Sequence, residues 1–319
     1  MITVASQSLV FLDGLKNRKR NPVKPATLAV WTSYAKKITA LVGEVPIESF
    51  QNGNMKALIT RLCEEELNPR TIHGIVETAK RIIASCVDNN GNERFPRRWN
   101  VEFLDAPPAR QSTFAPSATR EAVEQAVQIP KYGVLFALLG ATGLRIGEAL
   151  ALRIGDDGQS SCWDQENSWI NVRQSVWRGH LQEPKTASAL RCVDLCQEMN
   201  RALISWVGAG NRKAGEFLFA SRADTPLSHA VVYRSGLSKT KTQGAHAFRR
   251  FRAVRLAEFP ECPVGLVKFW LGHATHDLTQ HYARGITKNL ALRREWTERI
   301  GLGFVMPANL LGLNGQDCK

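Results

Sequence analysis

Apolar residues in the first hundred positions recur at spacings of three and four, which is typical of amphipathic helices. Three such faces predict three packed helices: Leu28, Trp31, Tyr34, Ile38 and Leu41; then Met55, Leu58, Ile59 and Leu62; then Ile72, Ile75, Val76, Ala79, Ile82 and Ile83. Gly43 is placed to end the first helix, and Thr71 to cap the third. We predict a basic N-terminal segment at 1–20 and a small helical bundle over 21–104.

The pattern changes in the second half of the chain, where strand-like alternation lies between helical segments. Helical periodicity covers 117–128, 131–153 and 196–207, and it returns from His246 onward. Residues 169–173 and 191–195 alternate between apolar and polar, with Arg178 and Gly179 allowing a turn between them. The predicted fold class is therefore mainly α with a small antiparallel β-sheet, α+β.

A stretch without periodicity separates the two halves. It contains the adjacent prolines Pro107 and Pro108, and we interpret residues 105–116 as a linker. A second domain then occupies 117–300, and a C-terminal tail follows at 301–319. Two domains are what a chain of 319 residues predicts.

The charge narrows the class of partner. Forty-two Lys and Arg residues against 29 Asp and Glu give a formal net charge of +13. Such an excess favours a polyanion, with nucleic acid as the leading candidate, although surplus lysine also serves solubility.

Other bulk features point away from metals and membranes. Seven cysteines are scattered without a CxxC pair, so neither a disulfide framework nor a zinc site is predicted. The longest apolar run, 132–139, is far shorter than the roughly 20 residues of a membrane-spanning helix. Because the N-terminus also lacks the features of a signal peptide, we expect a cytoplasmic protein.

Four short segments carry candidate chemistry: ATGLRIGEALAL at 141–152, PKTASALRCVDL at 184–195, HAFR at 246–249 and LGHATHDLTQHY at 271–282. Splitting a phosphodiester with an internal nucleophile requires charge neutralisation, a nucleophile and a proton donor. These segments hold residue types for all three tasks.

Two arginines are candidates for neutralising the phosphate. Arg145 and Arg249 can each donate paired hydrogen bonds to non-bridging oxygens. His246 precedes Arg249 by three positions, which places both on one face of a helix. Glu148, three after Arg145, either orients that guanidinium or forms an ordinary surface ion pair.

The remaining roles fall to a lysine, a histidine and a tyrosine. Lys185 lies near a predicted hairpin tip, where it either protonates the leaving oxygen or is simply solvated. His273 either hydrogen-bonds the phosphate or is structural. Tyr282 is the candidate nucleophile, and because the pKa of a phenol is about 10, nearby cations must favour its phenolate. No metal or other cofactor is implied, since two arginines and a lysine supply the positive charge.

This ordered series resembles the tyrosine recombinase family, also called the phage or lambda integrase family. TGLRIGEALAL is similar to the family's first motif, HAFRR to its second and LGHATHDLTQHY to its third, with Tyr282 nine positions after His273. The resemblance implies a SAM-like core-binding domain at 21–104 and a catalytic domain at 117–300. It also implies a 3′-phosphotyrosine at Tyr282, a phosphate held by both arginines and both histidines, and Lys185 as general acid.

The family further implies double-stranded DNA as partner, a C-shaped clamp of two domains around it, and a homotetramer on two DNA sites. Since only residues 1–20 precede the helical domain, we expect an Xer-like or mobile-element integrase without an arm-binding domain. Asp194 departs from the family pattern, which often has proline there. The tail at 301–319 is expected to dock on a neighbouring protomer or to be a loosely ordered end.

Two alternatives remain open at this point. A non-catalytic protein of the same fold would use its basic surface only to bind DNA. A type IB topoisomerase would share the phosphotyrosine chemistry but would relax supercoils without pairing two sites.

Overall fold

The computed structural model describes residues 1–108, 117–155, 157–184, 187–273 and 285–312. The chain divides into two compact units, Met1–Phe114 and Ala115–Lys319. The division falls inside 105–116, the stretch in which the sequence lacks periodicity.

The first unit is a helical bundle. Its helices are α1 (Val4–Lys16), α2 (Pro25–Val42), α3 (Asn52–Glu64), α4 (Pro69–Ala84) and α5 (Val101–Leu104). The second and third predicted faces supply most of its core, with Leu58 and Ile72 almost completely buried. Of the first predicted face only Ile38 is buried, and α2 otherwise turns Ala35 and Val42 inward. These side chains converge because residues three and four apart share one side of a helix.

Two details of this unit differ from the sequence prediction. Residues 1–20 are not simply a basic segment, because α1 lies there and buries Val4 in the core of the bundle. Thr71 does not cap α4: the capping residue is Asn68, three residues earlier, whose side chain accepts a hydrogen bond from the Arg70 amide at 3.0 Å. Pro69, which lacks an amide hydrogen, suits the first helical position.

The second unit surrounds one buried helix. Its described helices are α6 (Arg120–Val127), α7 (Gly133–Thr142), α8 (Ile146–Leu150), α9 (Gln197–Ala209), α10 (His229–Ser235), α11 (His246–Ala257), α12 (Val264–Leu271) and α13 (Leu290–Ile300). Every residue of α7 is buried. The periodicity at 131–153 covers two helices rather than one, because Gly143 adopts a left-handed φ of 69° and ends α7.

A small sheet with strand order β1-β2-β3-β6 packs in the same unit. Its strands are β1 (Arg153–Ile154), β2 (Cys162–Asp164), β3 (Trp169–Val172) and β6 (Arg191–Asp194). The predicted antiparallel pairing of β3 with β6 is confirmed, with Val172 opposite Arg191 and Trp169 opposite Asp194. However, β1 runs parallel to β2, so the sheet is mixed rather than purely antiparallel.

The predicted turn at Arg178 and Gly179 belongs to a separate hairpin. It joins β4 (Ser175–Trp177) to β5 (His180–Gln182), which pair in an antiparallel register between β3 and β6 in the chain. Both turn residues have positive φ, 50° and 84°. That is the conformation of a two-residue hairpin turn that follows the twist of its strands.

The described part of the C-terminal tail folds onto its own unit. Leu302, Phe304 and Met306 are buried in the core of the second unit, and the ring centroids of Phe304 and Phe251 lie 6.2 Å apart. These residues are therefore neither a loose end nor exposed for docking on another protomer. Residues 313–319 lie outside the described part of the chain. Among the described residues, no helix combines the length and apolar character that crossing a membrane requires.

Candidate active site

Arg145 is the residue that precedes α8. Its backbone N–H donates to Glu148 Oε2 at 2.9 Å, and its Nη1 donates to Glu148 Oε1 at 2.8 Å. The side chain of Arg145 is 45% exposed, whereas that of Glu148 is 5% exposed. A buried carboxylate therefore fixes the direction of a guanidinium that still faces solvent.

Glu148 also binds a second arginine, Arg191 on β6. Arg191 Nη2 donates to Glu148 Oε2 at 2.9 Å, and Nη1 approaches Oε1 at 3.3 Å. Burial raises the pKa of Glu148, but hydrogen bonds and positive charge from Arg191 and Arg145 outweigh it and hold the pKa below its ordinary value. Glu148 is therefore ionised and buried, which excludes the surface ion pair left open by the sequence.

Arg249 on α11 hydrogen-bonds the backbone at the ends of two other helices, α7 and α12. Its Nη1 donates to the carbonyl oxygen of Gly143 at 2.8 Å, and its Nη2 donates to that of Leu271. The first carbonyl lies two residues before Arg145 and the second two residues before His273. Burial, with the positive charges of Arg145 and Arg191, lowers the pKa of Arg249 to about 10, so the side chain remains a cation at neutral pH.

The two histidines lie at the ends of helices next to these arginines. His246 begins α11, and His273 follows α12, with its backbone N–H donating to the Lys268 carbonyl at 3.0 Å. Partial desolvation, followed by the charges of Arg249 and Arg145 among others, lowers the pKa of both imidazoles. Both rings are therefore neutral at pH 7, where each can donate one N–H hydrogen bond.

Gly272 allows His273 to approach the arginines. It has a left-handed φ of 61°, and a Cβ atom added there would lie 3.0 Å from the guanidinium of Arg191. Such a contact is too close for any other residue without movement of a buried side chain. The glycine of the LGH segment is thus required by both conformation and space.

The structure brings together five of the residues predicted from the sequence: Arg145, Glu148, His246, Arg249 and His273. Lys185 and Tyr282, the predicted acid and nucleophile, lie outside the described residues. Arg191 was not predicted, although it lies within the PKTASALRCVDL segment. Its only sequence signal was a charged residue at an inward position of a predicted strand.

The assembled site is electropositive. Among described residues, the charged groups that act on the pKa of Arg249 are Arg145, Arg191 and Glu148, two cations and one carboxylate. With Arg249 itself, the site thus holds three guanidiniums and one carboxylate. No group of three or more His, Cys, Asp or Glu side chains in the described residues is arranged to hold a metal ion. A cluster of guanidiniums like this one binds an oxyanion such as a phosphate through charge-assisted hydrogen bonds.

An α+β catalytic unit with this arginine and histidine cluster defines the class of protein as a tyrosine recombinase. The model of the phage integrase family matches residues 117–288, more than half of the chain. The chain therefore belongs to the phage integrase family.

Solved structures share the fold. The Tn1549 transposon integrase in complex with a circular intermediate DNA is 19% identical, with a TM-score of 0.65 over 94% of this chain and 100% of that chain. A lambda integrase dimer bound to a COC′ core site is 18% identical, with a TM-score of 0.59 over 88% of this chain and 77% of that one. A lambda integrase tetramer bound to a Holliday junction is 17% identical, with a TM-score of 0.61 over 87% of this chain and 79% of that one. No curated protein sequence matches this chain significantly.

Proposed function

We propose that this protein is a site-specific recombinase that cuts and rejoins double-stranded DNA through a 3′-phosphotyrosine on Tyr282. The observation that carries the proposal is the convergence of Arg145 and Arg249 on one site, next to His246 and His273. Both arginines are held in place by protein acceptors, so they are oriented before the substrate arrives. Preorganised donors of this kind stabilise charge that develops in a transition state.

The arginines would bind the non-bridging oxygens of the scissile phosphate. Arg145 faces solvent, while Arg249 is almost fully buried and closes the inner side of the site. The neutral imidazoles of His246 and His273 would donate further hydrogen bonds to the same phosphate. Because a bound phosphate is an anion, it would also favour the protonated forms of both rings.

Tyr282 and Lys185 complete the proposed reaction. Tyr282 gives its phenolic proton to a neutral imidazole of the site as its oxygen attacks phosphorus. The bond to the 5′ oxygen breaks as that oxygen takes a proton from the ammonium of Lys185. The 3′-phosphotyrosine is itself a phosphodiester and replaces the one that was cut. A 5′ hydroxyl of the same strand or of a partner strand can therefore attack it and reverse the step. No ATP is consumed, and the positive charge comes from side chains rather than from a metal.

Recombination also requires that two DNA sites be brought together. The lambda integrase of similar fold forms a tetramer on a Holliday junction, and the Tn1549 integrase binds a circular intermediate DNA. By this likeness we propose a homotetramer on two duplexes, acting in the cytoplasm in integration or excision of a mobile element. The net charge of +13 supports a polyanionic partner.

The test is covalent attachment to DNA. A site is selected from a random duplex library by binding, then nicked near its centre so that the cleaved fragment diffuses away. Wild-type protein is expected to form an adduct that survives denaturing electrophoresis, whereas Tyr282→Phe binds the same site without forming one. Adduct formation by Tyr282→Phe would overturn the assignment of the nucleophile.

The same material separates the alternative activities. A non-catalytic DNA-binding protein would bind the selected site and form no adduct with any variant. A type IB topoisomerase would form the adduct and relax supercoiled DNA that lacks the site, but it would not exchange strands between two duplexes.

A further inference from the structure

Arg191 is a buried arginine whose three guanidinium nitrogens all have partners. Its side chain is 1% exposed. Nη2 donates to Glu148 at 2.9 Å, Nε donates to the Trp270 carbonyl at 2.8 Å, and Nη1 donates to the Ala189 carbonyl at 3.0 Å. Because protein acceptors already engage all three guanidinium nitrogens, we assign Arg191 no direct contact with a DNA phosphate, and any role in the reaction is indirect.

The three partners of Arg191 belong to three different segments of the site. Glu148 orients Arg145. Trp270 lies three residues before His273, and Gly272 packs directly on the Arg191 guanidinium. Ala189 lies in the same 184–195 segment as Lys185, four residues after it. A single guanidinium therefore joins the first, second and last segments of the predicted chemistry.

The charge balance gives Arg191 a more specific role. Glu148 alone would neutralise Arg145, because one carboxylate cancels the charge of one guanidinium. Arg191 contributes a second positive charge to the same carboxylate from the buried side. Glu148 can then hold Arg145 in position while the three groups together retain one net positive charge for the phosphate.

We propose that Arg191 is a positioning residue for DNA cleavage: it holds and neutralises Glu148 so that Arg145 presents a correctly oriented, uncompensated charge to the phosphate. This inference rests on the proposed function, since it assigns a role within that same site. It predicts that loss of Arg191 slows cleavage mainly through Arg145.

The test compares Arg191→Gln and Arg191→Lys with a matched control, Arg252→Gln. Arg252 is also a buried arginine of the catalytic unit, and it donates to the Gly301 carbonyl at 2.7 Å, away from Glu148. The measurements are the Tm, the Kd for the selected DNA site, and the rate of adduct formation in a single turnover at saturating protein. All rates are taken at a temperature at which every variant is folded.

Arg191→Gln is expected to slow adduct formation about 10- to 100-fold, by analogy with the loss seen when a partner that orients a metal ligand is removed. Its Kd should change less than about threefold, because the DNA-facing surface is intact. Arg191→Lys keeps the charge but not the planar fork, so it should fold even if the glutamine variant does not. Its rate of adduct formation should lie between those of Arg191→Gln and wild type. Arg252→Gln should lower Tm but leave the rate within about threefold.

A double-mutant comparison identifies the route of the effect. If Arg191 acts through Arg145, adding Arg191→Gln to Arg145→Ala should cost less than about threefold more in rate. A full 10- to 100-fold further loss, or an equal loss of rate in Arg252→Gln at the same Tm, would overturn the inference. Failure of wild-type protein to form any adduct would instead overturn the proposed function, so the two failures are distinguishable.

Discussion

Two buried carboxylates of the catalytic unit, Glu148 and Asp194, are each bound by an arginine, but their surroundings differ. Glu148 is shared by buried Arg191 and by Arg145, which faces solvent. Asp194 accepts two hydrogen bonds from buried Arg293, at 2.7 and 2.8 Å, and one from the Trp270 indole at 2.7 Å. The first network ends at the surface with excess positive charge, whereas the second is closed within the core.

This difference distinguishes an ion pair that we propose acts in the reaction from one that only fastens the core. The Asp194 network fastens α13 and α12 to β6, and Arg293 also donates to the sulfur of Cys192 at 3.0 Å. A buried pair that satisfies itself contributes structure but presents no charge to a ligand. The Glu148 network contributes structure and also presents a positive charge to a ligand, because Arg145 remains accessible.

The largest expected effect is that of Arg145→Ala. Removing one preoriented donor to a transition state costs roughly 10² to 10³ in rate, so adduct formation on the selected DNA should fall by that factor. Because Arg145 is nearly half exposed, Tm should change little. The matched control is Arg120→Ala, which removes an exposed arginine paired with Glu124 and should leave the rate intact. Near-normal cleavage by Arg145→Ala would remove this residue from the site.

A smaller loss of rate is expected for Glu148→Gln. The amide keeps the size of the side chain but cannot balance two arginines, so Arg145 loses its fixed orientation. Adduct formation should fall about 10- to 100-fold, and urea unfolding should show a stability loss of about 3–5 kcal/mol, the cost of breaking a buried ion pair. If the rate stays normal while stability falls, Glu148 is as purely structural as Asp194.

Asp194→Asn is expected to lower stability as Glu148→Gln does, but to leave the rate of adduct formation unchanged. Stability should again fall by about 3–5 kcal/mol, because Arg293 is left as a buried charge. The rate of adduct formation by the folded protein should remain within about threefold of wild type. The double variant Asp194→Leu with Arg293→Met should recover most of the stability, since it removes both buried charges together. A large loss of rate in Asp194→Asn would erase the distinction between the two networks.

Local spacing was sufficient to predict much of the site. His246 and Arg249 are one helical turn apart, and Arg145 and Glu148 are separated by the same three positions, so their proximity follows from helix geometry. The apolar faces of the first unit followed from the same periodicity. Capping was less predictable, since both Asn68 and Thr71 are suitable N-cap residues and only the helix start distinguishes them.

Arg191 could not be predicted in this way because its role depends on contacts distant in the sequence. Glu148 lies 43 positions before it and Trp270 lies 79 after it. An alternating strand pattern indicates which residues point inward, but not which buried partner each will meet. For the same reason, the pairing of Asp194 with Arg293 was not apparent, although Asp194 stood out as a departure from the family pattern.

The smallest expected effect is a dependence of stability on pH that belongs to the active site. The pKa values of His246 and His273 are lowered in the folded protein, so the unfolded chain binds more protons in mildly acidic solution. The free energy of unfolding should therefore fall as pH decreases through about 6.5, the ordinary pKa of histidine, and this contribution should level off below the folded pKa values. Glu148, whose pKa is also lowered, loses its contribution only in the more acidic range below its ordinary value.

Urea unfolding measures this decline in the free energy of unfolding between about pH 7.5 and 5.5. It is compared in wild type and in the double variant His246→Gln with His273→Gln. The double variant should show a weaker decline, whereas His180→Gln, on the exposed strand β5, should behave as wild type. A bound DNA phosphate would favour the charged imidazoles, so selected DNA should reduce the decline in wild type more than in the double variant. An identical decline in all three proteins would show that the two imidazoles do not share the electropositive site around Arg249.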